Sequence, residues 1–100
     1  MATKILIERK VKADRLADFL ELSLQLRAMA MRHSGYISGE TLASTEDESR
    51  RLIISTWHSP GDWKEWENDP ERQKIVKQME NFLEEKPIVR TFTEIWPPGI

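Results

Sequence analysis

The sequence predicts an α+β domain whose elements follow the order β-α-β-β-α-β. Three observations point there. The chain opens on a β-branched, partly alternating run; the next segment carries apolar residues at three- and four-residue spacing; and further on two helix-start signals are bracketed by strand-like runs.

Residues 3–11, T-K-I-L-I-E-R-K-V, read as the first strand. From Asp14 the period changes. Leu16, Phe19, Leu20, Ser23, Leu26, Arg27 and Ala30 describe one face of a helix, with Leu22, Leu24 and Met29 partly off it. This helix is expected to end around Arg32-His33-Ser34-Gly35, where Gly35 suits a left-handed closing residue and the basic side chains complement the helix dipole. Tyr36 to Ser44 reads as the second strand and Leu52 to His58 as the third, joined by a solvated turn, T-E-D-E-S-R, into an antiparallel hairpin. Ser59 is a helix N-cap by type, with Pro60 at the first helical position and Asp62 three residues after the serine. Asp69-Pro70-Glu71 repeats the signal, so a short helix, a kink and a second helix reaching about Leu83 are expected. Ile88 to Trp96 reads as the last strand, which W-P-P-G-I cannot continue. The order is the split βαβ arrangement of the ferredoxin-like fold: a four-stranded antiparallel sheet with two helical segments on one face, in a single domain over residues 1–100.

Composition narrows the function classes. Fifteen basic residues nearly balance seventeen acidic ones and alternate with them, so the basic stripe that a phosphate backbone requires is missing and nucleic acid is not an expected partner. The absence of cysteine removes disulfides, thiolate metal sites and thiol nucleophiles. Glu8, Arg9 and Lys10 stand where a signal peptide needs its apolar run, and no segment is apolar for the length of a membrane span, so a cytoplasmic protein without membrane contact is expected. His33 and His58 are twenty-five positions apart and no Asp-rich loop accompanies them, so no metal site is expected. There is also no glycine-rich phosphate loop and no Gly-x-Ser-x-Gly elbow. One feature points beyond the monomer. Leu52-Ile53-Ile54 and Ile5-Leu6-Ile7 make both faces of two strands apolar, although the helices cover one face only. A second copy of the sheet is the expected cover, giving a homodimer through the open sheet face.

The run H-S-G-Y-I-S-G-E at 33–40, followed by L-I-I-S-T-W-H-S-P-G-D-W-K-E-W-E-N-D-P-E-R at 52–72, resembles the antibiotic biosynthesis monooxygenase family of dimeric α/β-barrel domains. The shared features are a Gly-aromatic start to the second strand, a tryptophan closing the third, and a W-x-x-W helix followed by an Asp-Pro turn. The resemblance spans roughly residues 3–96. It implies a pocket between the helices and the helix-facing side of the sheet. Strand parity puts Ile53, Ser55 and Trp57 on one face and Leu52, Ile54, Thr56 and His58 on the other. Under the resemblance Trp57 faces the pocket and His58 the partner barrel or its rim.

The candidate residues follow from that pocket. Trp57 is the residue expected to position a flat substrate, its indole N–H serving as a donor. Tyr36 or His33 is the expected polar partner in catalysis, His58 being directed away although its type suits a general base. Ser55, Ile53, Trp66 and Phe19 are expected to line the substrate site with Trp57, while the Trp63–Trp66 spacing also suits core anchoring and Trp96 a terminal anchor. The activity that the resemblance implies is a cofactor-independent monooxygenation of a small electron-rich aromatic, a quinol or phenolic polyketide, a substrate that supplies its own electrons once deprotonated. The competing expectation is a non-catalytic dimeric module that binds a small ligand. Haem-degrading members of the family resemble the chain at Trp57. They also use a first-strand asparagine and a histidine on the second helix; here the corresponding first-strand position is read as Glu8, and residues 70–82 contain no histidine.

Overall fold

In the computed structural model, which describes residues 1–95, the first run forms β1 (Thr3–Lys10). Thr3, Ile5, Ile7 and Arg9 are buried, whereas Lys4 and Glu8 are exposed, so the strand has a covered and an open face. A 3-10 turn at Ala13–Arg15 leads into α1 (Leu16–Ala30), which therefore starts two residues later than Asp14. Phe19, Leu26 and Ala30 are its buried residues, and Leu16, Leu22 and Met29 pack partly against the core. Leu20, expected on the buried face, is 49% exposed. One residue past Phe19 turns the side chain about 100° around the helix, so Leu20 leaves the stripe and Leu22 and Met29 take part in it.

β2 (Tyr36–Ala43) and β3 (Arg50–Trp57) form the hairpin, with Ala43 opposite Arg51. The sequence placed the strand boundaries at Ser44 and Leu52; the third strand begins earlier because the turn is tighter than its charge suggested. Asp47 Oδ1 accepts hydrogen bonds from the Ser49 hydroxyl at 2.6 Å and the Ser49 amide at 3.0 Å, and Arg50 N donates to Asp47 O. These bonds, the hydroxyl's first, hold the Asp47 carboxyl below its ordinary pKa. β3 ends at Trp57, one residue before the expected His58.

Both helix-start signals are realised. Ser59 Oγ accepts from the Asp62 amide at 3.1 Å and lies 3.0 Å from Asp62 Oδ2, capping α2 (Pro60–Glu67). Asp69 Oδ1 accepts from the amides of Glu71 and Arg72, capping α3 (Pro70–Glu80). The third helix stops short of Leu83, which bridges back to Val11. β4 (Ile88–Thr93) is shorter than expected, and Trp96 lies outside the described residues. Ser59→Ala removes a cap acceptor and is expected to lower stability by about 1 kcal/mol, read from a denaturant midpoint.

The sheet order is β2-β3-β1-β4, antiparallel throughout. Ile5, Ile7 and Trp57 on the sheet meet Phe19, Leu26, Trp63, Trp66 and Met79 from the helices in one core. On the opposite face the registers Glu8–Leu52–Leu42, Leu6–Ile54–Glu40 and Lys4–Thr56–Ser38 run across three strands, with Ile88, Arg90 and Phe92 beside them on β4.

Gly35 corrects the sequence reading. Its φ lies outside the left-handed region; what demands glycine is the side chain of Asp62, whose Cβ and Cγ a methyl group at Gly35 would overlap. Gly35 O also accepts from His58 N at 2.9 Å, tying the end of β3 to the start of β2. Because Asp62 is held by Ser59, it cannot move aside freely. Gly35→Ala is expected to cost about 2 kcal/mol, visible as a lower melting temperature.

Candidate functional site

A cavity of about 70 Å³ lies between the covered face of the sheet and the helices. Its floor is Ile7, Arg9, Ile53, Ser55 and Trp57; α1 contributes Ser23, Leu26 and Ala30; Trp63, Trp66 and Arg72 close it from α2 and α3. Tyr36, Gly39, Thr41 and the exposed Arg27 and Glu40 form its outer margin.

Trp57 is the centre of this site. It is 1% exposed, and its Nε1 donates to Ser55 Oγ at 3.0 Å. Four rings surround the indole: Tyr36 edge-on at 5.4 Å between centroids, His33 edge-on at 5.5 Å, Trp63 tilted at 5.9 Å and Trp66 stacked at 6.4 Å. Period-two alternation brings Ile53, Ser55 and Trp57 to the cavity together, and the W-x-x-W spacing on α2 puts Trp63 and Trp66 over them.

Of the residues singled out from sequence, Trp57, Tyr36, Ser55, Ile53 and Trp66 border the cavity. His33 is placed behind it, packed edge-on against Trp57 and Trp66, with Nδ1 accepting from Gly35 N at 3.4 Å. Phe19 is 2% exposed and packs in the core without bordering the cavity. His58 is exposed. Glu8, read as the first-strand position of interest, faces the open side of the sheet, where its carboxylate lies 3.4 Å from Arg90; the first-strand residues at the cavity are Ile7 and Arg9.

The sequence reading passed over two arginines. Arg9 and Arg72 are 5% and 8% exposed, and both border the cavity. Arg72 Nη1 donates to Glu67 O at 3.2 Å, and its guanidinium lies 5.2 Å from the centroid of Trp63 and 5.9 Å from that of Trp66. Arg9 Nη1 has no hydrogen-bond partner among the described residues, and neither have Ser23 Oγ and Trp63 Nε1. Burial, reinforced by the charge of Arg72, lowers the Arg9 pKa to about 10. Burial lowers that of Arg72 as well, with Glu67 opposing it. The available signal was parity: Thr3, Ile5, Ile7 and Arg9 share a face, so a strand that buries its isoleucines buries its arginine too.

Among the described residues no cluster of three or more histidine and carboxylate side chains could hold a metal ion. Haem does not fit this arrangement. α3 carries no histidine, and a cavity of about 70 Å³ is far smaller than a macrocycle. No helix among the described residues is long and apolar enough to cross a membrane.

The sheet order, the helices on one face and the space between them define a ferredoxin-like domain with a small aromatic-lined cavity. The chain belongs to the antibiotic biosynthesis monooxygenase family, whose model matches residues 3–78. Among curated proteins none matches the sequence. Similar solved structures include a conserved protein from Methanosarcina mazei Go1 (14% identity, TM-score 0.88, covering 92% of this chain and 91% of that one). Rv0793 from Mycobacterium tuberculosis is 12% identical with a TM-score of 0.86, covering 95% and 96%. SnoaB from Streptomyces nogalater, described as a cofactor-independent oxygenase and solved as a point mutant, is 13% identical with a TM-score of 0.83, covering 96% and 97%. At these identities the likeness concerns the fold.

Proposed function

We propose that the chain is a cofactor-independent monooxygenase for a small electron-rich aromatic, acting in the cytoplasm as a homodimer joined through the open sheet face. The observation that carries this reading is the cavity walled by Trp57, Trp63, Trp66 and Tyr36 in a domain of this family. An indole face and a tyrosine edge hold a flat ring in one plane, and burial keeps bulk water away from it. A phenolic substrate that loses its proton there becomes the reductant. Its anion passes electrons to dioxygen; one oxygen atom replaces a ring hydrogen to leave a quinone carbonyl, and the other departs as water. Trp57 and Trp66 orient the ring, and Tyr36 meets it at the margin of the cavity.

The volume restricts the substrate. About 70 Å³ is roughly half of the ~150 Å³ known to admit benzene, so the enclosed space alone does not take a whole ring; a single ring that extends through the open margin at Tyr36 and Arg27 suits it better than the fused rings of a polyketide. A second reading, a non-catalytic ligand-binding module, draws support from the lining itself. Among the described residues no buried carboxylate borders it; Glu40 reaches only its margin and lies in the open-face register with Ile54 and Leu6, so no base is at hand.

Oxygen uptake by the metal-stripped protein with hydroquinones and anthrone-like phenolics separates the two. Turnover above the autoxidation blank is expected, together with its loss in Trp57→Phe. That variant is expected to stay folded and to bind ligand at least about ten-fold more weakly, because it shrinks the ring wall and deletes the donor to Ser55. Oxygen uptake at the blank rate across the panel would favour the binding module, and gross unfolding of Trp57→Phe would make the indole a core lid.

A further inference from the structure

The three buried polar atoms without partners at this cavity have one thing in common: each can donate a hydrogen bond. Arg9 Nη1, Ser23 Oγ and Trp63 Nε1 belong to residues of three different elements that border the same space. Two guanidiniums, nearly removed from solvent, stand at the same site, and no carboxylate faces Arg9 among the hydrogen bonds and ion pairs of the described residues. Buried donors are nearly always paired, and buried cations nearly always meet an anion. A site whose bordering residues keep unpaired donors and net positive charge just beneath its surface is complementary to an oxyanion that displaces the contacts covering them. Trp57, Trp66 and Tyr36 add the walls for one aromatic ring.

From this geometry we infer that the cavity selects the anionic form of a monocyclic aromatic, holding its carboxylate or phenolate oxygen against Arg9 Nη1, with Ser23 and Trp63 as further donors and the ring against Trp57. Arg72 contributes charge from its place on Trp63 and Trp66, its Nη1 being engaged by Glu67 O. The inference rests on the cavity being the ligand site proposed above and extends it. The charge that would stabilise a deprotonated substrate comes from arginines, and the missing base matters less because bound substrate ionises more readily.

The test needs no turnover and is run without dioxygen. Benzoate and its neutral isostere benzamide are titrated against tryptophan fluorescence, and 4-nitrophenol, which ionises near neutrality, is titrated by its colour in the presence and absence of protein. Benzoate is expected to bind at least about ten-fold more tightly than benzamide, and the apparent pKa of bound 4-nitrophenol to fall by about one unit or more. In Arg9→Met both differences are expected to vanish, with a cooperative thermal melt showing that the variant is folded; Arg9→Lys, which keeps the cation, is expected to restore part of each.

Equal binding of benzoate and benzamide, an unshifted nitrophenol, binding of neither ligand, or selectivity that survives Arg9→Met would each overturn the inference. The oxygenase reading fails separately: anion selectivity without oxygen uptake leaves the inference standing and removes the enzyme. Uptake with a neutral aromatic that Arg9→Met does not change removes the inference and leaves the enzyme.

Discussion

Ile54→Glu is expected to turn the proposed homodimer into a monomer or an aggregate, raising the dissociation constant at least about a hundred-fold by light scattering across a dilution series. Ile54 sits mid-strand on the open face, directly opposite Leu6 on one side and Glu40 on the other. Leu52 and Leu42 are paired one step further along that face, and Ile88 and Phe92, 47% and 52% exposed, flank it on β4. Apolar side chains grouped on an uncovered sheet face, with Lys4, Glu8, Glu40 and Arg90 set among them, suit an association surface with an apolar centre and polar contacts. A carboxylate at position 54 would be buried without a cation at the centre of such an interface and would stand opposite Glu40, where like charges repel. The fold of the subunit is expected to persist, because the tryptophan cluster lies on the other side of the sheet. A dimer that survives Ile54→Glu unchanged would sink the open sheet face as the interface.

Arg9→Met is expected to stabilise the protein. The guanidinium is held at the cavity with an unpaired N–H and beside a second cation, and burial lowers its pKa from the ordinary arginine value to about 10. A cation whose folded pKa is depressed favours the unfolded state, which binds its proton more tightly. The penalty is fully present below about pH 10, which includes neutrality, and is relieved only as the pH rises from there toward the ordinary arginine pKa. A shift of that size corresponds to roughly 3 kcal/mol. Methionine keeps the unbranched stem and its packing while removing the charge, so the melting temperature is expected to rise by about 10 °C or more. A fall of comparable size would mean that the guanidinium is satisfied in the folded protein and that its burial is structural. A rise, combined with lost anion selectivity, describes a residue retained for binding at the expense of stability.

Which residues were legible in advance follows from the range of the interactions involved. Caps are local. Ser59 and Asp69 bond amides two or three residues away, so S-P-G-D and D-P-E-R announce both helix starts. Strand parity is local too and brings Ile53, Ser55 and Trp57 to one side. The same parity held the information about Arg9, but a charged residue near a strand end is ordinarily solvated, and nothing in the neighbouring sequence says that the cavity reaches it. Gly35 and His33 depended on a distant element. The glycine makes room for Asp62, and the imidazole packs behind Trp57 and Trp66, residues that lie well over twenty positions further on. The Asp47–Ser49 turn began the third strand two residues early through hydrogen bonds that a count of charges does not reveal.

The class and order of the elements, the capped helix starts, the apolar character of both sheet faces and the tryptophan at the end of the third strand were all written in the linear chain. Periodicity, capping and β-branching act within a few residues, so their effects can be read in chain order. Packing alone established that Arg9 and Arg72, sixty-three positions apart, share one cavity with Ser23 and Trp63, and that His33 does not border it. Those relations arise when β1, α1, α2 and α3 are brought together. Burial and the loss of water then give two ordinary surface-type cations an anion-seeking character that no local pattern encodes.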